Sequence, residues 1–196
     1  SIMKDKFTRI TIAVLFVAYA IALSTCFAVV TDKWSKEFSQ QPEASRPPAA
    51  CVRVIVDDEG PGRSYGSGGF IGPQLIVTAN HVVKDREGDE VEILFPSWEV
   101  VRGKVIKTDS EIDLCLIELY SDPKTAEPFS LCPRLVDGME LAINGYGYGT
   151  YKQQWGTLSS TRYTPWRCVN GAMARSGDSG GPLVDADGRF AGTLWG

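Results

Sequence analysis

Three short segments of the chain carry side chains that together could perform acyl transfer. His81, the only histidine in 196 residues, follows an apolar run, and Ser179 stands in a Gly-Asp-Ser-Gly-Gly-Pro segment near the end of the sequence. Asp113 lies between them, at the start of another apolar run. A neutral imidazole can take the proton of a serine hydroxyl near pH 7, and a carboxylate can hold the imidazole in the required tautomer. The order base, carboxylate, nucleophile therefore predicts that Ser179 is a nucleophile.

The glycines around Ser179 have a separate use in such chemistry. An acyl-transfer intermediate carries an oxyanion, which backbone N–H groups can stabilise. In the segment from Gly177 to Gly181, the N–H groups of Gly177 and Ser179 can point into one concavity, and glycine allows the tight backbone that this needs. We therefore predict an oxyanion hole formed by Gly177 and Ser179. The other interpretation of this segment is a glycine-rich hairpin turn with an incidental serine.

These segments resemble the motifs of the trypsin-like serine proteases, which have the chymotrypsin fold. The resemblance runs from about Cys51 to Gly196, and its matching stretches are Thr78–His81, Asp113–Ile117, Gly177–Pro182 and Leu194–Gly196. It implies that Ser179 is the nucleophile, His81 the general acid and base, and Asp113 its orienting partner. Leu194, Trp195 and Gly196 resemble the family's strand that pairs with the substrate backbone, which makes them candidate substrate-binding residues.

Short apolar stretches separated by turn residues must position these groups. Strands at this spacing are typical of a barrel or sandwich, and the resemblance implies an all-β fold of two six-stranded barrels with the site in the cleft between them. The first barrel is predicted over residues 51–120, a proline-containing connection over 121–136, and the second barrel from about residue 139. The family continues with a further strand and a helix, so the second barrel is expected to be truncated.

A different kind of segment precedes the barrels. Residues 10–30 carry no charge over 21 positions, a length that can span a bilayer, and Lys4, Lys6 and Arg9 precede them. We predict a signal-anchor or transmembrane segment over 1–30, a polar linker over 31–50 and a protease domain over 51–196. The predicted location is a single-pass membrane protein with its protease domain on the extracytoplasmic side. A cleavable signal peptide, giving a secreted protein, and a lipoprotein signal ending at Cys26 are the alternatives.

The resemblance also bears on specificity and on the partner of Asp178. Met173 stands six residues before Ser179, where the family has the base of its specificity pocket, and an uncharged, adaptable side chain there favours an apolar residue before the cut bond. Plain core packing of Met173 is the other interpretation. Many members pair the aspartate matching Asp178 with a newly cut N-terminus, but no activation signal precedes the first barrel here. Asp178 therefore needs another partner, and the candidates are Arg162, Arg167 and Arg175.

Five cysteines remain to be assigned. The placement of Cys51 and Cys132 is similar to that of a family disulfide, and an exported domain would favour such a bond, so we predict a Cys51–Cys132 disulfide. Cys115 alternates within a core strand and is interpreted as a small buried hydrophobic residue. No pair of cysteines has the spacing of metal ligands, and we predict neither a metal nor a cofactor.

The sequence therefore predicts a serine endopeptidase with polypeptide substrates, tethered to a membrane through residues 10–30. The net charge of −4 and the lack of a basic patch argue against nucleic acid as a partner. A catalytically idle protease fold that binds peptides or scaffolds an assembly is the alternative from another class. An esterase-like acyl hydrolase shares the same chemistry, but a strand ending in Leu194 and Trp195 favours extended peptide backbone.

Overall fold

The structure, a computed structural model, describes residues 47–57, 62–163 and 166–195, which belong to a compact unit of residues 45–196. The predicted membrane segment over 1–30 and most of the linker over 31–50 lie outside the described residues. Within the described ranges no helix combines the length and apolar character that crossing a membrane requires. The fold of the described residues is almost entirely β.

Eleven strands, one short helix and one 3-10 turn form the described unit. The strands are β1 Cys51–Asp57, β2 Arg63–Gly72, β3 Leu75–Ala79, β4 Glu90–Leu94, β5 Val100–Asp109, β6 Leu114–Leu119, β7 Glu140–Gly145, β8 Lys152–Tyr163, β9 Trp166–Asn170, β10 Pro182–Val184 and β11 Phe190–Thr193. Helix α1 spans Asn80–Val83, and the 3-10 turn spans Gly147–Gly149.

The first six strands close into an antiparallel barrel in the order β1-β2-β3-β6-β5-β4. Alternation gives the barrel its interior, because successive side chains of a strand point to opposite faces. In β1, for example, Val52, Val54 and Val56 are buried while Arg53 and Ile55 are partly exposed. The inward residues form one aliphatic core that includes Ile76, Ile93 and Ile117. The predicted six-stranded first barrel is confirmed.

The remaining five strands form a sheet in the order β11-β10-β7-β8-β9. A second, smaller core lies on one of its faces and contains Leu141, Ile143, Leu158 and Leu183. This sheet is an open half-barrel and not a second six-stranded barrel, because no described strand pairs with the outer edges of β9 and β11. An open sheet of five strands agrees with the expectation that the second barrel is truncated.

The predicted Cys51–Cys132 disulfide is wrong, since Cys51, Cys115, Cys132 and Cys168 are all free. Cys51 is fully buried at the start of β1, where its backbone pairs with Gly69 of β2. The Cys132 thiol instead lies near the surface and donates to the backbone carbonyl of Arg134 at 3.3 Å. Sequence placement alone did not reveal that the two thiols have such different surroundings. Cys115 is 1% exposed within β6, as its interpretation as a buried hydrophobic residue requires.

This arrangement predicts which thiols react with maleimide in the folded protein. Burial raises the pKa of the Cys51 thiol, and burial together with the Glu87 carboxylate raises the pKa of Cys115 to about 12. Because the thiolate is the reactive form, both should remain unlabelled at pH 8 until the protein is unfolded, whereas exposed Cys168 and half-buried Cys132 should be labelled. Peptide mass spectrometry before and after denaturation measures this. A cross-linked peptide containing Cys51 and Cys132 would contradict the free-thiol arrangement.

Candidate active site

His81 and Asp113 are in direct contact at one end of the first barrel. His81 lies on α1, immediately after β3, and Asp113 precedes β6, the strand that pairs with β3. The Nδ1 of His81 lies 2.6 Å from Oδ2 of Asp113, and the backbone N–H of His81 donates to Oδ1 at 2.8 Å. The carboxylate thus fixes both the ring and the backbone of the histidine. With Nδ1 held by Asp113, Nε2 is the ring nitrogen available for proton transfer with a substrate.

Backbone geometry makes this pairing possible. The φ angle of Asp113 is +47°, in the left-handed region that aspartate tolerates better than most residues. The carbonyl of Asp113 accepts a hydrogen bond from the N–H of Asn80 at 3.1 Å, which ties the turn before β6 to the start of α1. The Asp113 side chain is 11% exposed and that of His81 is 44% exposed. The carboxylate is therefore shielded from water while the imidazole faces the cleft.

Ser179 reaches the same cleft from the second half of the molecule. It lies in the turn before β10, and it lines a cavity of about 500 Å³ together with His81, Gly177 and Tyr65. The predicted base and nucleophile, which are far apart in sequence, therefore face one cavity. His81, Asp113 and Ser179 are brought together as predicted, while their catalytic roles remain predictions.

Asp178 anchors the turn that carries Ser179. Its side chain is 2% exposed, and Arg175 contacts both carboxylate oxygens, with Nη2 3.0 Å from Oδ1 and Nε 3.1 Å from Oδ2. Backbone N–H groups of Gly147 and Arg175 donate to the same two oxygens. A buried carboxylate is tolerated only when it is paired and hydrogen-bonded in this way. Of the three candidate partners Arg175 is the one observed, because Arg167 pairs with Asp137 and the side chain of Arg162 is not described.

Two glycines in this turn have conformations and surroundings that exclude a side chain. Gly177 and Gly180 have φ angles of +95° and +80°. A Cβ on Gly180 would lie 2.1 Å from Oγ1 of Thr78 and 2.4 Å from the carbonyl oxygen of Ser67. The N–H of Gly177 donates to no acceptor among the described residues, which leaves it available for the predicted oxyanion hole.

Ser67 connects the serine-bearing turn to the first barrel. This fully buried side chain in β2 donates to the carbonyl of Gly177 at 2.7 Å and accepts from the N–H of Tyr146 at 2.9 Å. Its backbone N–H donates to the carbonyl of Ser179 at 2.8 Å. Ser67 thus fixes the turn at two points. The sequence analysis missed this residue, because a serine between two glycines carries no signal that it will be buried between the two halves.

Met173 does not form the base of a pocket. Its side chain is 76% exposed, and its neighbours Ala172 and Ala174 line cavities instead. The side-chain amide of Gln154 bonds to both the N–H and the carbonyl of Met173, which holds this stretch extended with Met173 pointing outward. Both interpretations of Met173, as pocket base and as core, are wrong. The exposed side chain of Met173 therefore gives no support to an apolar preference.

Leu194 and Trp195 lie directly after β11, and Gly196 lies outside the described residues. The N–H of Leu194 donates to Gly181 and its carbonyl accepts from Gly180, so this segment runs beside the serine-bearing turn. Both residues line a mainly apolar cavity of about 680 Å³ that also contacts Asp113 and the core of the half-barrel.

Among the described residues, no group of three or more His, Cys, Asp and Glu side chains could hold a metal ion.

The Arg175–Asp178 pair should contribute strongly to stability. Substituting Arg175→Met leaves a buried carboxylate without its cation, so we expect the free energy of unfolding to fall by about 3–5 kcal/mol in urea denaturation. The control is Arg63→Met, which removes the surface pairs of a 48% exposed arginine with Asp57 and Glu92. It should change the free energy of unfolding by less than about 1 kcal/mol. Equal losses in both variants would show that the buried pair does not anchor the turn.

Comparison with known protein families matches residues 66–192 to the trypsin-like peptidase domain. The uncharacterized protein y4bJ of Sinorhizobium fredii (strain NBRC 101917 / NGR234) is 25% identical over 168 residues, which are 81% of this chain and 26% of that protein. The chain thus spans about a quarter of the length of this relative.

Two solved structures have a similar fold. The serine endoprotease from Yersinia pestis is 21% identical with a TM-score of 0.65, and the match covers 76% of this chain and 54% of that one. The HtrA-type protease AlgW, in a structure with a tripeptide, is 22% identical with a TM-score of 0.64, and the match covers 76% of this chain and 52% of that one. The chain therefore spans about half the length of each. Since the family match covers more than half of the sequence, the chain belongs to the trypsin-like peptidase domain family.

Proposed function

We propose that this protein is a serine endopeptidase that cleaves polypeptides through an acyl-enzyme. The observation that carries the proposal is the His81–Asp113 contact of 2.6 Å at a cavity that Ser179 also lines. A Ser–His–Asp arrangement of this kind performs acyl transfer on several unrelated folds. Membership of the trypsin-like peptidase domain family supports the same reaction class.

The proposed reaction has two halves. In the first half, His81 Nε2 takes the proton of the Ser179 hydroxyl as its oxygen attacks the peptide carbonyl, and the N–H groups of Gly177 and Ser179 stabilise the oxyanion. Asp113 stabilises the imidazolium, which then protonates the leaving amine. In the second half, His81 takes a proton from water, and the resulting attack on the ester releases the acid and restores Ser179.

The apolar cavity beside Leu194 and Trp195 is the proposed site for substrate residues before the cut bond. It lies on the Asp113 side of the cleft, and its lining is mainly aliphatic. Apolar lining favours apolar side chains through burial of their surface. The proposed preference for an apolar residue before the cut bond therefore rests on this cavity and no longer on Met173.

The proposed catalytic residues predict the outcome of substitution. Ser179→Ala and His81→Ala should each reduce peptide hydrolysis by about a millionfold, because nucleophile and base act as one unit, and the double variant should lose little more. Hydrolysis of a mixed peptide library, followed by mass spectrometry, measures the loss. Labelling of Ser179 by a fluorophosphonate provides a second readout in the wild-type protein. Substantial activity in Ser179→Ala would remove the proposal, and an unlabelled Ser179 would favour an idle peptide-binding fold.

The role of Asp113 is tested by Asp113→Asn, with Asp109→Asn as the matched control. Asp113→Asn keeps the size of the side chain but lets the amide stabilise the wrong histidine tautomer, so we expect a loss of about ten-thousandfold. The neighbouring carboxylate Asp109, which bonds to the backbone of Glu111 and Ile112, serves as the comparison. Asp109→Asn should leave hydrolysis within a few-fold of wild type. A mild effect of Asp113→Asn would mean that Asp113 does not orient the base.

We also propose that residues 10–30 tether the protein to a membrane, with the protease domain on the extracytoplasmic side. Their 21 uncharged positions support this proposal. The full chain should sediment with membranes and resist alkaline extraction, whereas a variant lacking residues 10–30 should be released. A soluble product of lower mass would support signal cleavage instead, and an added acyl mass at Cys26 would support a lipoprotein.

A further inference from the structure

Arg53 has a cationic side chain with no acceptor among the residues that the structure describes. It lies on β1 and faces out of the first barrel, where its guanidinium carbon lies 4.9 Å from the ring centre of Tyr65 and 6.0 Å from that of Tyr146. Its Nε is buried and has no hydrogen-bond partner, and no described carboxylate forms an ion pair with it. Buried donors without an acceptor are rare and unfavourable. The side chain is therefore held in place by stacking, with its hydrogen-bonding capacity unused by the described residues.

The two Nη groups of Arg53 are the donors left for a ligand. Aromatic rings attract the planar cation through cation–π contacts. Because Nε is buried and no described acceptor bonds to the Nη groups, the paired Nη donors are the part of the fork that can match a carboxylate. Two tyrosines thus restrict the orientation of Arg53, and a restricted donor loses less entropy when it binds an anion.

Arg53 is linked to the serine-bearing turn through Ser67. It is the direct partner of Ser67 in the β1–β2 register, and such antiparallel partners have Cα atoms about 5 Å apart. Ser67 in turn bonds to the backbone carbonyls of Gly177 and Ser179. Tyr65, which stacks on the guanidinium, lines the cavity of Ser179 and His81. Arg53 does not itself line that cavity, but its contact with Tyr65 places it directly behind the Tyr65 side.

The two sides of the cleft differ in chemistry. The side with Leu194 and Trp195 is mainly apolar and is the proposed site of residues before the cut bond. A peptide that crosses Ser179 must place the residues after the cut bond on the other side, along Tyr65. No described carboxylate lines the cavity on that side. The charge of Arg175 is already matched by Asp178, so Arg53 is the cation there without a described anionic partner, and an anionic substrate group would meet no like charge among the described lining residues.

We propose that Arg53 binds a substrate carboxylate located one to three residues after the cut bond. The carboxylate belongs either to an Asp or Glu side chain or to the free C-terminus of the substrate. The proposal rests on the proposed peptidase function and names its substrate class: chains with an apolar residue before the cut bond and an anion after it. Arg53 is a specificity-determining residue in this proposal and takes no part in proton transfer.

Internally quenched peptides test the proposal. They share one apolar sequence before the cut bond and carry Glu, Gln or Lys at the first, second or third position after it. At one of these positions we expect wild-type kcat/KM to be about tenfold higher for Glu than for Gln. Arg53→Gln should bring this ratio close to one, and Arg53→Glu should favour Lys. High salt should reduce the wild-type ratio, since the cleft is open to solvent.

A second set of peptides separates the two sources of the carboxylate. These peptides end at each position after the cut bond in a carboxylate or a carboxamide and contain no acidic side chain. A preference for the free carboxylate that disappears in Arg53→Gln assigns the site to the substrate C-terminus. A preference confined to Glu side chains assigns it to an internal acidic residue.

The matched control is Arg102→Gln, an exposed arginine on β5, a strand that pairs with neither β1 nor β2. It should keep the wild-type preference. Arg53→Lys keeps the charge without the planar fork and should retain only part of the Glu preference, which provides a second variant should Arg53→Gln unfold. Thermal melting of each variant verifies folding. The proposal would be overturned if wild type preferred neither Glu nor a free carboxylate. It would also be overturned if such a preference were unchanged in Arg53→Gln.

Binding to the Ser179→Ala variant keeps this test separate from catalysis. Fluorescence polarisation of labelled Glu and Gln peptides measures carboxylate recognition without turnover. Tighter binding of the Glu peptide that is lost in the Ser179→Ala, Arg53→Gln double variant supports the role of Arg53 even where wild type hydrolyses nothing. A different outcome would separate the two proposals. If the protein hydrolyses peptides and its Ser179 is labelled by the fluorophosphonate, but Glu and Gln peptides bind equally, the peptidase function is supported and the role of Arg53 is excluded.

Discussion

The buried charge of Asp178 is the constraint on which the rest of the site depends. An isolated carboxylate this far from water would destabilise the fold by several kcal/mol, so the chain must bring a cation and backbone donors to it. Arg175 and the N–H of Gly147 meet this requirement and, in doing so, define the path of the turn that leads into Ser179. The contacts that stabilise the Asp178 carboxylate thus also determine the position of the next residue, Ser179.

Hydrogen bonds from the first barrel then align that turn with the proposed base. Ser67 on β2 bonds to Gly177 and Ser179, and its own carbonyl accepts from the hydroxyl of Thr78 at 2.7 Å. Thr78 lies on β3, three residues before His81. The same pair of strands therefore fixes both the serine-bearing turn and the start of the helix that carries the histidine.

Sequence patterns predicted the strands and the grouping of the three site residues, because alternation and short motifs are local signals. They could not predict details that depend on the path of a loop. The choice of Arg175 among three arginines follows from a four-residue turn that brings it to Asp178. The outward direction of Met173 follows from its two bonds to Gln154. The disulfide inferred from the family-like placement of Cys51 and Cys132 was wrong, because Cys51 is enclosed by the barrel while Cys132 lies near the surface.

The cation beside Asp178 comes from the same turn, which has a consequence for how the serine-bearing turn becomes ordered. A pair formed by residues three apart in sequence assembles as its own turn folds, so no second polypeptide end has to arrive. Ordering of the turn that leads into Ser179 would consequently depend on its own sequence, and a substitution at either end of the pair would disturb the turn without any change elsewhere in the chain.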